Sequence, residues 1–317
     1  MWTKENIVKM RKQLLCVLIS LSSVLLSHGQ RVSDSLTTAK HYNKIDKLQD
    51  AKDVEHFLKS INKDYATFKV NNSFVFKNAA LQKVCDSLHV KPFVKVDFDN
   101  NGYTDLMVTG DLPDLYTICI MDAGHNDFSL KKLSRQSYDE TTFFATDVTN
   151  NKTFINAYTL TTDGLDQQIK SIITTKLLYE FGGFAEYADS PKHYNIQKIE
   201  YTTTRCFGTC PVFHLIIDSN RAAKYDAIEY NDPNGSFTGM IDKDSYAALT
   251  GLLNYIDFPS LQNTYRVNWT DDQACTLTIT YDNGKTKTIS DYGLIGSYGL
   301  RSVYEVLFGL RGRVGWE

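Results

Sequence analysis

Phe93-Val94-Lys95-Val96-Asp97-Phe98-Asp99-Asn100-Asn101-Gly102-Tyr103-Thr104-Asp105-Leu106-Met107-Val108-Thr109 is where the periodicity of this chain changes. Before it, apolar residues recur at helical spacing, first Val54, Phe57, Leu58 and Ile61, then Leu81, Val84, Cys85 and Leu88. Each set follows i, i+3, i+4, i+7, so each predicts a helix that buries one stripe. From Phe93 onward short runs rich in β-branched and aromatic residues take over: 93–96, 106–109, 116–121, 128–133, 142–148, 153–159, 172–178 and 184–187. Turn residues separate them, including Asn101-Gly102, Asn150-Asn151 and Gly182-Gly183. The pattern predicts consecutive antiparallel hairpins, a β-meander with two helices in front.

Ala188-Asp189-Ser190-Pro191 marks the expected boundary, since proline removes a ladder donor and restricts the residue before it. Beyond it the pattern is β-β-β-β-α-β-β-α. Strands are expected at 196–204, 212–218, 223–229 and 236–241. A helix from about Asp244 presents Leu249, Leu252, Leu253 and Ile256, with Asp242 or Asp244 as N-cap. Asp282-Asn283-Gly284 predicts a hairpin between runs 274–281 and 285–290, and the last helix carries Leu300, Val303, Tyr304, Leu307 and Leu310. The expected fold class is α+β: helices and a meander over residues 51–190, then an antiparallel sheet covered by two helices over 191–317.

The Asp97 loop places side-chain oxygens at alternate positions, Asp97, Asp99, Asn101 and Asp105, with the Tyr103 carbonyl between the last two. Calcium takes six to eight hard oxygen ligands, and three aspartates at this spacing repel one another without a cation. An EF-hand requires glutamate at the twelfth position, which here is Val108. The ten residues Asp97–Leu106 instead resemble the D-x-D-x-N-G-x-x-D-L calcium loop of FG-GAP and integrin-type repeats. A single copy implies the loop and not a propeller, which needs four or more blades. The bland alternative is an ordinary Asn-Gly turn with solvated carboxylates.

Five of the six cysteines lie beyond residue 29. Cys85 on a helical stripe and Cys119 in an alternating strand fit buried small hydrophobes, and Cys275 lies in an expected strand. The segment Cys206-Phe207-Gly208-Thr209-Cys210-Pro211 stands between two strands. Three chemistries compete there: a disulfide that pins the turn, a redox or nucleophilic thiol served by His214, and zinc held by Cys206, Cys210, His214 and Cys275.

Ile199–Phe213, with Tyr225, Gly239, Phe258-Pro259, Tyr265, Thr270-Asp271 and Asp291-Tyr292-Gly293, resembles a domain-of-unknown-function family, number 6438, of exported bacterial proteins. The resemblance covers about residues 194–312. It implies a compact α+β module and no particular chemistry. Asp272-Gln273-Ala274-Cys275 departs from the family's second small or proline-containing step.

At the other end, Lys4, Lys9, Arg11 and Lys12 precede an uncharged run from Leu14 to Leu26 and the small-residue exit Ser27-His28-Gly29. That is the pattern of a signal peptide, with residues 1–29 removed and 30–50 a loose lead-in. Removal takes away four basic and one acidic residue, so the formal charge moves from −3 to −6. A mildly acidic chain with no basic stripe is not expected to bind nucleic acid. No later segment is apolar for the ~20 residues that a membrane span needs. P-loop, Rossmann and G-x-S-x-G patterns are missing, which disfavours nucleotide use and serine catalysis. The expected function is therefore an exported, non-catalytic binding protein of the bacterial envelope, periplasmic or extracellular, with another envelope protein or a surface ligand as partner. The alternative is a thiol-dependent enzyme or redox protein built on Cys206, Cys210 and His214.

Overall fold

Asp50 opens the first helix, α1 (Ala51–Ile61), by accepting the Asp53 amide, while the Asp53 carboxylate accepts that of Gln49. This reciprocal cap satisfies the Asp53 amide of the first turn and the Gln49 amide just before the helix. The expected stripe turns inward: Val54, Phe57 and Leu58 are buried and Ile61 half-buried. The computed structural model describes residues 40–72, 74–76, 78–111, 115–135, 140–162 and 169–317. The expected signal peptide and the lead-in as far as residue 39 lie outside the described residues. The end of that lead-in is docked: Ile45 and Leu48 are buried beside α1 around a short 3-10 turn at Ile45–Lys47. Two isolated apolar residues in a polar stretch carry no period, so the sequence does not announce them.

The first sheet contains β1 (Lys69–Val70), β2 (Phe93–Val96), β3 (Asp105–Asp111), β4 (Leu115–Asp122) and β5 (Phe128–Lys132), all pairs antiparallel. Its order is β1-β3-β4-β5, and β2 shares one edge of β3 with β1. β3 is buried on both faces. Leu106 and Val108 meet α1, whereas Met107 joins Cys119, Met121, Phe144, Ile155 and Phe184 in a second core.

A separate sheet follows, β6 (Glu140–Thr149), β7 (Lys152–Thr162), β8 (Ile169–Glu180) and β9 (Gly183–Glu186), paired in chain order. Its first turn, Asn150-Asn151, has both residues at positive φ (53° and 58°), as a two-residue hairpin requires. The single meander expected from the sequence is thus corrected to two sheets, divided between β5 and β6, that share the second core. Alternation within each strand fixes its faces, but it does not say which consecutive strands pair. The second helix, α2 (Ala79–Leu88), starts at the Asn78 cap and lays Cys85 against Phe143 and Leu160.

The remaining strands are β10 (Ile196–Thr203), β11 (Val212–Asp218), β12 (Ala222–Glu229), β13 (Gly235–Met240), β14 (Thr264–Arg266), β15 (Ala274–Tyr281) and β16 (Lys285–Tyr292). They form one sheet in the order β13-β12-β11-β10-β15-β16-β14. It departs from the expected purely antiparallel sheet because β14 runs parallel to β16. Three residues are too few to show a strand period, so β14 was not expected. Helices α3 (Lys243–Tyr255) and α4 (Tyr298–Arg313) cover one face. Asp242 caps α3 by accepting the Ser245 amide. Tyr201, Phe213, Leu215, Tyr225, Leu277 and Ile289 point at the helices, while Glu200, His214, Lys224 and Asp226 alternate to the other face.

Helix α4 also binds the second sheet. Glu186, at the end of β9, accepts the Tyr298 and Gly299 amides at 2.7 and 3.0 Å, and Ser302 Oγ donates to the Phe184 carbonyl. Lys40–Glu317 accordingly forms one compact unit. The fold is mixed α+β, dominated by antiparallel strands. Among the described residues, no helix is long and apolar enough to cross a membrane.

Candidate functional site

The connection from β2 to β3 is built by its own aspartates. Gly102, at φ 88°, takes a backbone conformation that a side chain would resist. Asp97 accepts the amides of Asn101 and Gly102, at 3.2 and 2.8 Å, and Asp99 accepts that of Asn101. Asp105 begins β3 fully buried, with each carboxylate oxygen held by one backbone amide, Phe98 and Asp122, at 2.8 Å. The loop therefore curls around its carboxylates, and one oxygen from each of Asp97, Asp99 and Asp105 lies within 4.8 Å of the others.

Of the five expected ligands, these three come together. Asn101 braces the loop: its Oδ1 accepts the Tyr103 amide, and its Nδ2 donates to Asp99 Oδ2 and the Asp122 carbonyl. The Tyr103 ring stacks on His41 at 4.8 Å, and the His41 amide donates to the Gly102 carbonyl. Asp122, at the end of β4, is a part of the site that the sequence did not reveal. It lies seventeen residues from Asp105, and only the β3–β4 pairing brings it near.

Burial and mutual repulsion disfavour the ionised form of this cluster. Burial, with Asp99 and Asp97 adding repulsion, pushes the Asp105 carboxyl up to about 8 despite its two amide donors. Asp99 is pushed up to about 6, again mainly by burial, with Asp97 beside it. Hard oxygens converging from a tight loop are the donor set that calcium prefers.

The second candidate lies between β10 and β11. Cys206 and Cys210 stand within disulfide distance, their Cα atoms 5.8 Å apart. The turn is further held by the Phe207 amide, which donates to the Asp271 carbonyl, and by an Arg205–Glu229 ion pair. Phe207 at its tip is 90% exposed, and on the adjoining end of β12 Ile228 and Tyr230 are 53% and 54% exposed.

His214 lies on β11, beyond the cysteine turn. It faces Thr202 and Asp226 across its strand neighbours, and among the described residues no hydrogen bond joins it to either sulfur. The zinc set does not assemble either. Thr276 shares the row of Thr202 and His214, so the adjacent Cys275 points to the opposite face, into the helix-covered core. Burial pushes the remaining thiols up, Cys85 to about 11 and Cys275 to about 12, which leaves little nucleophilic thiolate.

No curated protein and no solved structure matches this chain. Residues 197–311, from β10 into α4, match the family described as Domain of unknown function (DUF6438), so the segment with the seven-stranded sheet, both its helices and the pinned turn is similar to that family.

Proposed function

We propose that the protein is an exported, non-catalytic binding protein of the bacterial envelope, periplasmic or extracellular, that presents the pinned Cys206–Cys210 turn to another envelope protein or a surface ligand. The observation that carries this reading is Phe207, 90% exposed at the tip of a turn fixed by a cysteine pair, a backbone hydrogen bond and an ion pair. An aromatic ring held out by a rigid base loses little entropy on binding, and such anchors dominate interface energies. Export is supported by the signal-peptide pattern of residues 1–29 and fits an oxidising compartment, where such a pair stays joined. In the same reading Ca2+ occupies the FG-GAP-like loop through Asp97, Asp99 and Asp105, with Asn101 and the Tyr103 carbonyl as its further expected ligands. Its role is a local staple of the 51–190 half.

The test is mass spectrometry of the secreted protein after alkylation, with and without reductant. The expected product begins at Gln30 and takes up label at Cys206 and Cys210 only after reduction. A free pair there that alkylates quickly at neutral pH overturns the binding reading in favour of the thiol enzyme, and His214 is then the residue to replace.

A further inference from the structure

A cleft of about 160 Å³ opens where β5, the β14–β15 loop, the β16–α4 loop and α4 meet. Its walls carry Lys132, Arg135, Arg301, Trp269 and Asp272. Three cations and one carboxylate leave two positive charges in excess. Asp272 is held in place by Trp269 Nε1 and the Gln273 amide, which donate to its oxygens at 3.0 Å, and its charge acts on Lys132. Among the described residues, none of the three cations has a carboxylate within ion-pair distance.

The two guanidiniums are held rather than loose. Arg135 and Arg301 lie over the Tyr298 ring, 4.3 and 5.9 Å from its centre. Among the described residues, Arg301 donates to the backbone carbonyls of Lys132, Leu133 and Ser134, at 3.3–3.4 Å. Arg135 Nε is buried with no acceptor among the described residues. A buried donor on a charged group without a partner costs more than the hydrogen bond it forgoes. Burial first, then the neighbouring Arg135, lower the Arg301 pKa, against a weaker opposing pull from Tyr298, Glu305 and Tyr116. Leu294, which lines the same cleft, sits in the left-handed region at φ 50°, a conformation that non-glycine residues hold mainly where the surroundings impose it.

We propose that this cleft binds a compact oxyanion carrying two negative charges, with Arg135, Arg301 and Lys132 as its cationic ligands. The excess charge sets the charge of the ligand, and the small volume admits an anionic group rather than a large molecule. Paired guanidiniums suit phosphate and carboxylate oxygens alike, since each offers parallel N–H donors. This site shares no residue with the acidic loop or the cysteine turn, and it does not depend on the function proposed above.

The test is calorimetric titration of the mature chain with inorganic phosphate, sulfate and malonate at constant ionic strength, with chloride as control. Saturable binding of at least one dianion is expected, weakened about tenfold in R135Q and in K132Q, since each removes one charge-assisted contact. Preference for phosphate points to a phosphorylated ligand, and preference for malonate to a dicarboxylate. Lys132 is exposed, so K132Q carries the test if R135Q fails to fold. Heats no larger than those of chloride, or equal affinity in wild type and a folded variant, overturn the proposal.

Discussion

Asp105→Ala is expected to lower the stability of the calcium-free protein by about 2–6 kcal/mol, because it strands two buried N–H groups at roughly 1–3 kcal/mol each. Those groups are the amides of Phe98 and Asp122, and each has one Asp105 oxygen as its acceptor at 2.8 Å. Phe98 belongs to the core shared by the first two sheets, so the loss reaches beyond the loop. The change would be read from the urea midpoint at fixed pH with a chelator present. A midpoint matching the wild type would mean that Asp105 does not organise the β2–β3 connection.

The second large effect is expected at Glu186→Ala. Its carboxylate accepts the first two amides of α4 across the boundary between the sheets, where the positive end of the helix dipole favours a negative charge. Losing both bonds at this half-buried position should cost about 1–3 kcal/mol. Because α4 packs on the seven-stranded sheet and on β9, hydrogen exchange should quicken first in the opening turn of α4 and in β9. Fast exchange confined to β9 alone would show that α4 does not need this cap.

Much of this architecture could be read in the residues. Val54, Phe57 and Leu58 mark α1, Leu249, Leu252 and Leu253 mark α3, and the alternation of Phe213, Leu215 and Ile217 fixes the inner face of β11. Asp97, Asp99 and Asp105 were legible as a cluster because a tight loop with glycine at its apex brings alternate side chains together. Other features depend on tertiary contacts that no local pattern encodes. The division of the meander rests on which faces share Met107 and Ile155, and the docking of Ile45 rests on the space beneath α1. Asp122 reaches the acidic loop only through β-pairing. The basic cleft draws Arg135 and Arg301 from segments more than 160 residues apart, so neither residue stands out alone.

The raised carboxyls of the acidic loop give the proposed calcium site a pH signature. Burial pushes the folded Asp105 carboxyl up to about 8, above the ~3.9 of an unfolded aspartate. The folded protein thus holds the extra proton, so calcium-free stability is greatest below pH ~4 for this group and is lost as pH rises towards 8. Calcium at the proposed site would compete with that proton, so its apparent affinity is expected to strengthen across the same interval.

The most direct measurement is calorimetric calcium titration of the wild type and Asp99→Asn at pH 6 and pH 8. The account predicts saturable binding with Kd of ~0.1–1 mM, worth about 0.4–1.4 kcal/mol of stability at millimolar calcium, tighter at pH 8 and largely abolished in the variant. No saturable heat in the wild type at either pH, or identical binding by Asp99→Asn, would contradict it and leave the loop an ordinary turn.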